Sequence, residues 1–242
     1  MRAEDAARAT ANAVVAVPAG FMMDGDTYKR GSALGFEGID FYTAGRGGAL
    51  GDVEGPVVAA AFVFFNPIVV VDAWERSGSV MPRRQAAEAF ASCMHSWSAD
   101  HLGDDVDYAR FAELLGRVIA TAPLAAAPLF AAWTRLPEPA DPKALALQRL
   151  NLIRELRGGV HGAAVVAFGL QPLEAVLVKT PFMANLFGWP EPYPDVGRCR
   201  ETWEQVEAAT NRVVARAYGA LEPGELTELV ELATAVHKGA NC

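Results

Sequence analysis

The sequence predicts a mainly α-helical protein, on three observations. Alanine is its commonest residue and, with leucine, glutamate and arginine, makes up 100 of the 242 residues; all four favour helix. Alternating Val/Thr/Tyr runs bounded by turn residues, the mark of half-buried strands, are scarce. Several segments instead space apolar residues three and four apart, as one face of a helix requires. With 242 residues and 52% hydrophobic content, the chain can fill one large core or two modest ones.

Taken in order, residues 2–15 form the first expected helix. "MDGDTYKRGSALG" offers Asp24 or Asp26 as N-cap and Gly35 as stop, which makes a short second helix. In "YTAGRGGALGDV", residues 42–53, four glycines surround Arg46. That stretch reads as a tight turn between helices, where glycine permits positive φ and close backbone approach. Pro56 opens a helix that runs to about Asn66, where Pro67 ends or kinks it. The apolar run 57–71 is too short to span a bilayer and reads as buried core. Residues 82–103 spell an amphipathic helix with Ala86, Phe90, Cys93, Met94 and Trp97 inward and Gly103 as its stop. The next helix covers 107–121, with Phe111, Leu114, Leu115, Val118 and Ile119 inward, and 123–133 forms a turn or short helix.

"RLPEPADP", residues 135–142, is a proline-rich linker, and a domain boundary is expected there, between 1–138 and 139–242. Residues 142–157 are strongly helical and stop at Gly158-Gly159. Segments 160–168 and 171–179, joined through a glycine and with proline opening the second, have the look of a helix-turn-helix. Residues 188–197 hold too much proline for either regular state. Two long helices, 198–218 and 223–237, close the chain.

A net charge of -8 and a pI near 5.1 set the mean surface potential against polyanions, so nucleic-acid binding needs a local basic patch. Cys93, Cys199 and Cys242 fit neither a disulfide framework nor a zinc site. With no export signal in the first residues, a cytoplasmic protein is expected, without a membrane partner. His95 and His101 lie six apart on one helix, the wrong spacing to share a metal, and neither metal nor cofactor is expected. A Gly-x-Ser-x-Gly elbow is missing and Cys93 sits on an apolar face, which argues against a nucleophilic hydrolase. "GRGGALGDV" has neither the strand that precedes a dinucleotide fingerprint nor the Gly-Lys-Ser/Thr of a phosphate loop.

Two constellations are left. Arg46 is a permanent cation, with Tyr42 four residues before it and Asp52 six after. Such a segment can bring guanidinium, phenol and backbone amides onto a carboxylate, enolate or phenolate. Equally, Arg46 can anchor a carboxylate within the fold. His161 follows a glycine pair and is expected at a helix start, where the dipole lowers an imidazole's pKa. It then serves as base or hydrogen-bond donor, the plain alternative being a capping or core histidine. The neighbouring Arg154, Glu155 and Arg157 are expected to be solvated or paired on the helix surface. Most large aromatics are core, with Phe62, Phe65 and Trp133 the candidates for lining a pocket.

Residues 41–67, "FYTAGRGGALGDVEGPVVAAAFVFFNP", and 154–176, "RELRGGVHGAAVVAFGLQPLEAV", together resemble the actinobacterial proteins usually labelled helix-turn-helix or MarR-like winged-helix. "APLFAAWTRLPEP" and "VEAATNRVVARAYGAL" extend the likeness over most of the chain. By that resemblance Arg46, Gly51, Arg154, Glu155, Arg157, Gly158 and His161 occupy family-pattern positions. Leu156, Gly159 and Lys179 depart from it, where the pattern has His, Asp and His. After Trp189, where the family continues through a recognition helix and wing, "PEPYPDVGRCR" passes almost directly into the last long helix.

The resemblance therefore implies a multi-helix ligand-pocket domain followed by a degenerate winged-helix-like domain. Three functions fit. One is a small-molecule-binding protein that no longer binds DNA, acting as a cofactor-independent acid-base enzyme of natural-product metabolism: a cyclase, isomerase or lyase. Its acid-base groups are His161 and Asp52, with Arg46 stabilising negative charge and Tyr42, Phe62, Phe65, Trp133 and Arg157 holding the ligand. The others are a ligand-responsive transcription regulator and a protein that sequesters a ligand without chemistry. The last helices are candidates for a homodimer contact.

Overall fold

The computed structural model describes residues 1–240. Twelve α-helices and three short 3-10 turns make up its regular structure, with no strand among the described residues. The mainly α-helical class is the one expected. Helix α1 (Ala3–Met23) is longer than the sequence suggests because it continues through Pro18, which is buried within it. Packing against α9, α11 and α12 holds α1 together there, although proline forfeits one intrahelical hydrogen bond. Helix α2 (Gly25–Ala33) starts at Asp24, whose Oδ1 accepts from the Asp26 N–H, and Gly35 follows it at φ +98°.

The largest local surprise is the glycine-rich stretch. Residues 45–47 belong to a helix, α3 (Asp40–Gly47), which passes into a 3-10 turn at Gly48–Leu50. Of its four glycines only Gly51 has positive φ, +83°. The others make room: a Cβ on Gly45 would collide with Phe90, one on Gly47 with Val58, and one on Gly48 with the Arg83 carbonyl. These glycines let α3 lie close to α6 (Arg83–His101), so the expected inter-helix turn is instead a tightly packed helix.

Helix α4 (Gly55–Phe62) ends earlier than expected, at Val63, and α5 (Pro67–Ser77) begins anew from Asn66, whose side chain accepts from the Ile68 N–H. The run 57–71 is not uniformly buried, since Val57 is 50% and Ile68 67% exposed. Helix α6 buries all five residues expected of it, and α7 (Tyr108–Thr121), capped by Asp107, buries four of its five, Ile119 being half-buried. Helix α8 (Pro128–Trp133) is short.

Helix α9 (Pro142–Ala167) runs straight through Gly158 and Gly159, where a stop was expected. It is the axis of the molecule, packing on α1, α6, α7, α8 and α11 (Arg200–Tyr218). Glycine again serves proximity, because a Cβ on Gly159 would strike the Ala126 carbonyl and one on Gly162 would strike Val63. Helix α12 (Pro223–Gly239) packs on α1 and α7. The main hydrophobic core takes residues from Ala6 to Val236, on both sides of position 138.

Beyond Ala167 the chain turns through Gly169, φ +81°, into α10 (Pro172–Lys179), at 112° to α9. Two helices at about 90–120° joined by a short glycine turn make a helix-turn-helix. The unit rests on two small apolar clusters of its own, one of Val165, Leu170, Ala175, Cys199 and Val206, the other of Val176, Leu177 and Ala184. No single helix among the described residues is long and apolar enough to cross a membrane.

Candidate functional site

Between this helix-turn-helix and the helical body lies a cavity of about 790 Å³. Its walls come from α1 (Val15, Ala19, Met22), α3 (Tyr42, Arg46), the α4–α5 turn (Phe62–Phe65), α9 (Arg154–His161), α10 (Val176, Lys179), residues 183–188 and α11 (Trp203, Glu207). The volume and the mostly apolar lining, broken by a few polar groups, suit an organic molecule.

One polar group is the pair Arg46 and Glu155. Arg46 donates from Nε to Oε1 (2.9 Å) and from Nη2 to Oε2 (2.8 Å), a bidentate bridge between α3 and α9. Both side chains are buried, at 9% and 1% exposure. Burial works against each charge, but Arg46 and Arg154 together outweigh it and hold the Glu155 carboxyl below the usual range. Arg46 also donates from Nη1 to the Tyr42 hydroxyl (3.3 Å) and lies 4.6 Å from the centre of the Phe62 ring. The anchoring role considered for Arg46 is thus the one realised. Its charge is already matched by Glu155, which replaces the surface position expected of that residue.

His161 lies two turns further along α9. It does not start a helix but sits within one, half-buried between Phe64 and Trp203, with ring centres at 5.6 and 5.0 Å. Its pKa is pushed down to about 4, as expected in direction, but the cause is burial in place of a helix dipole. Arg157 and Lys179 add to the shift while Glu207 opposes it.

The tautomer follows from the neighbours. Thr210 Oγ1 donates its proton to the Val206 carbonyl (2.8 Å), which leaves its lone pairs to accept from His161 Nδ1, 3.0 Å away. The proton of the neutral ring is therefore on Nδ1, and Nε2 keeps a free lone pair. Glu207 Oε1 is 3.8 Å from Nε2, too far for a hydrogen bond, while its Oε2 accepts from Arg157 Nη2 (2.7 Å). Arg157 also donates to Asn211 Oδ1 (2.7 Å) and is buried, where a group solvated or paired on the helix surface was expected.

The wall facing His161 is strained. Val63 has φ +42° and ψ -61°, and the Phe64 N–H closes a three-residue turn onto the Phe62 carbonyl. This left-handed γ-turn is costly for a β-branched residue, and such strain gathers at sites where the surroundings impose it. Here the surroundings are visible: the Asn66 N–H donates to the Phe187 carbonyl, Asn66 Nδ2 to Gly188 O and Trp189 Nε1 to Phe64 O.

Of the residues expected at a site, Tyr42, Arg46, Phe62, Phe65, Arg157 and His161 all line this cavity. Asp52 does not; it is exposed beyond the 3-10 turn, where its charge acts on Arg83. Trp133 does not either, being fully buried behind α3 and donating from Nε1 to the Arg46 carbonyl (2.9 Å). Phe64, Arg154, Trp203, Glu207 and Thr210 escaped the sequence reading as site residues. A signal for Glu155 did exist: Gln148, Asn151 and Glu155 follow one another at spacings of three and four, a polar line along one face of the helix. Among the described residues no three His, Cys, Asp or Glu side chains gather as a metal would require.

A model of the helix-turn-helix family matches residues 7–198. No curated protein and no solved structure matches the chain.

Proposed function

Since this chain belongs to the helix-turn-helix family, a scaffold that fixes no chemistry by itself, we propose from its cavity that it binds a largely apolar small molecule and acts on it as a cofactor-independent acid-base enzyme. The observation that carries this reading is His161. A neutral imidazole with Nδ1 fixed by Thr210 keeps its Nε2 lone pair at a cavity walled by aromatic rings. Proton abstraction by Nε2 creates an imidazolium, which Glu207 at 3.8 Å stabilises once a bound molecule has excluded water. Cyclisation, isomerisation and elimination need such a step and no cofactor. A base whose pKa is about 4 is weak in the free protein, so the reaction relies on the carboxylate and on positioning.

DNA binding has little electrostatic support in this reading. Between residues 160 and 185 Lys179 is the only lysine or arginine, whereas phosphate contacts demand several.

The test is native mass spectrometry of protein purified from its producing organism. A retained small molecule that the wild type converts and His161→Gln does not is the expected result. A molecule retained but unchanged by both proteins would leave a sequestering role, and no retained molecule would reject the reading.

A second reading, a ligand-responsive regulator, is favoured by one observation. Helix α10 is at once the second helix of the motif and a wall of the cavity, through Val176 and Lys179. A gel shift on the upstream DNA that the retained molecule abolishes would establish it in place of the enzyme.

A further inference from the structure

Three arginines line the cavity, and their hydrogen bonds differ. Arg46 spends Nε, Nη1 and Nη2 on Glu155 and Tyr42, and Arg157 is held by Glu207 and Asn211. Arg154 makes one bond, from Nη1 to Glu155 Oε1 (2.8 Å). Its Nε is shut away from solvent with no partner. It is also the least covered of the three, its side chain 20% exposed against 9% for Arg46 and 8% for Arg157. A guanidinium offers five donors in one plane, so Arg154 has most of its capacity unused.

The charge around it is also unbalanced. Arg46, Arg154 and Arg157 face only Glu155 and Glu207 across the cavity, with His161 neutral and Lys179 exposed to solvent. This is a net positive lining in a chain of net charge -8. A buried excess of one sign is costly unless something of the opposite sign completes it.

We infer that Arg154 is the anchor for a carboxylate, and that the cavity takes an amphipathic organic acid with an extended apolar body. The inference rests on the cavity being a binding site, as proposed above. Arg154 and His161 are seven residues apart on α9, hence on one face and about 10 Å apart along its axis. An acid held at Arg154 therefore lays the far part of its body against His161 Nε2, with Phe62, Phe65 and Val176 alongside. Arg46, already neutralised, holds Glu155 and so positions Arg154 without touching the acid.

Decanoate, decan-1-ol and decylammonium share one apolar body and differ in charge, so calorimetric titration of each into the full chain tests the inference. The wild type should bind decanoate about tenfold or more tightly than decan-1-ol, as a charge-assisted hydrogen bond adds, and decylammonium least. Arg154→Gln should lose that preference while holding decan-1-ol to within about twofold. Arg154→Lys, which keeps the cation and the pull on Glu155, should keep part of the preference. That variant, and the wild-type comparison, remain decisive should Arg154→Gln fold poorly. Equal binding of acid and alcohol by the wild type, or a preference unchanged in Arg154→Gln, overturns the anchor and leaves the cavity reading standing. Binding of none of the three overturns both.

Discussion

At the α3 end of the cavity two full charges, Arg46 and Glu155, are buried together and satisfy each other through two hydrogen bonds, 2.9 and 2.8 Å long. At the α11 end, His161 is half-buried with a carboxylate at 3.8 Å and takes the other course, remaining uncharged with its pKa near 4. An interior accepts an ionisable group either by pairing it or by neutralising it. Arg46 and Glu155 have spent their hydrogen-bonding capacity on the fold. The neutral end keeps a lone pair for something that is not protein. Most of the cavity's structural free energy should therefore reside at the first end and its chemistry at the second.

The largest predicted effect tests the paired end. Glu155→Ala leaves Arg46 buried without its carboxylate, which should cost about 3–5 kcal/mol in denaturant-induced unfolding. Replacing both partners by Arg46→Met and Glu155→Leu should recover part of that loss, since two desolvated charges go together while Arg154 loses its carboxylate. A single-variant loss below about 1 kcal/mol would erase the contrast between the two ends.

Next in size is the pH dependence of the neutral end. Well above pH 6.5 His161 is neutral in both folded and unfolded chains. As pH falls from there, the unfolded chain takes up a proton that the folded one refuses until about pH 4, so stability drops across that window and levels off below it. The share from this one ring reaches about 3 kcal/mol. The difference between wild type and His161→Gln isolates it from the carboxylates that also titrate there. Identical pH profiles for the two would mean that the ring is not held neutral by the fold.

Glycine substitutions give smaller effects, of opposite sign at the two ends. Gly45→Ala drives a methyl into Phe90 behind the paired end. Overpacking of about 1–3 kcal/mol should outweigh the roughly 1 kcal/mol that alanine gains in a helix. At the cavity, Gly158 has open space where its Cβ would be. Gly158→Ala should therefore raise the thermal midpoint, with a gain of up to about 1 kcal/mol. A destabilised Gly158→Ala would mean that the cavity is tighter there than its geometry indicates.

Helix beginnings were legible from local chemistry. Asp24, Asp107 and Asp141 cap with their own side chains, and Pro142, Pro172 and Pro223 open their helices, whereas Asn66-Pro67, which starts α5, read as the end of the helix before it. Helix ends and interiors were less so. Gly45, Gly47, Gly158 and Gly159 read as punctuation, because local propensity counts glycine as a breaker. In the fold they are helical, and the atoms that three of them admit belong to distant segments: Phe90, Val58 and Ala126. No local pattern contains that information. The same limit applied to the site. His161 was singled out for its glycine neighbours, and its pKa shift had the expected sign, yet burial by Phe64 and Trp203 depends on the α4–α5 turn and α11. Asp52 was chosen for its nearness to Arg46 in sequence, and a glycine at φ +83° sends it outward.

Arg46 and Glu155 are 109 positions apart, a separation with a kinetic meaning. Closing so long a loop is slow compared with forming the α3 and α9 helices themselves. Until it closes, neither charge can leave water cheaply, so a collapsed chain that buries one without the other is penalised by several kcal/mol. The bridge thus acts as a proofreading device during assembly: compact but misdocked arrangements of α3 are rejected, and the site can form only after α3 and α9 have found each other. Conservative substitutions at Glu155 should accordingly slow folding as well as speed unfolding.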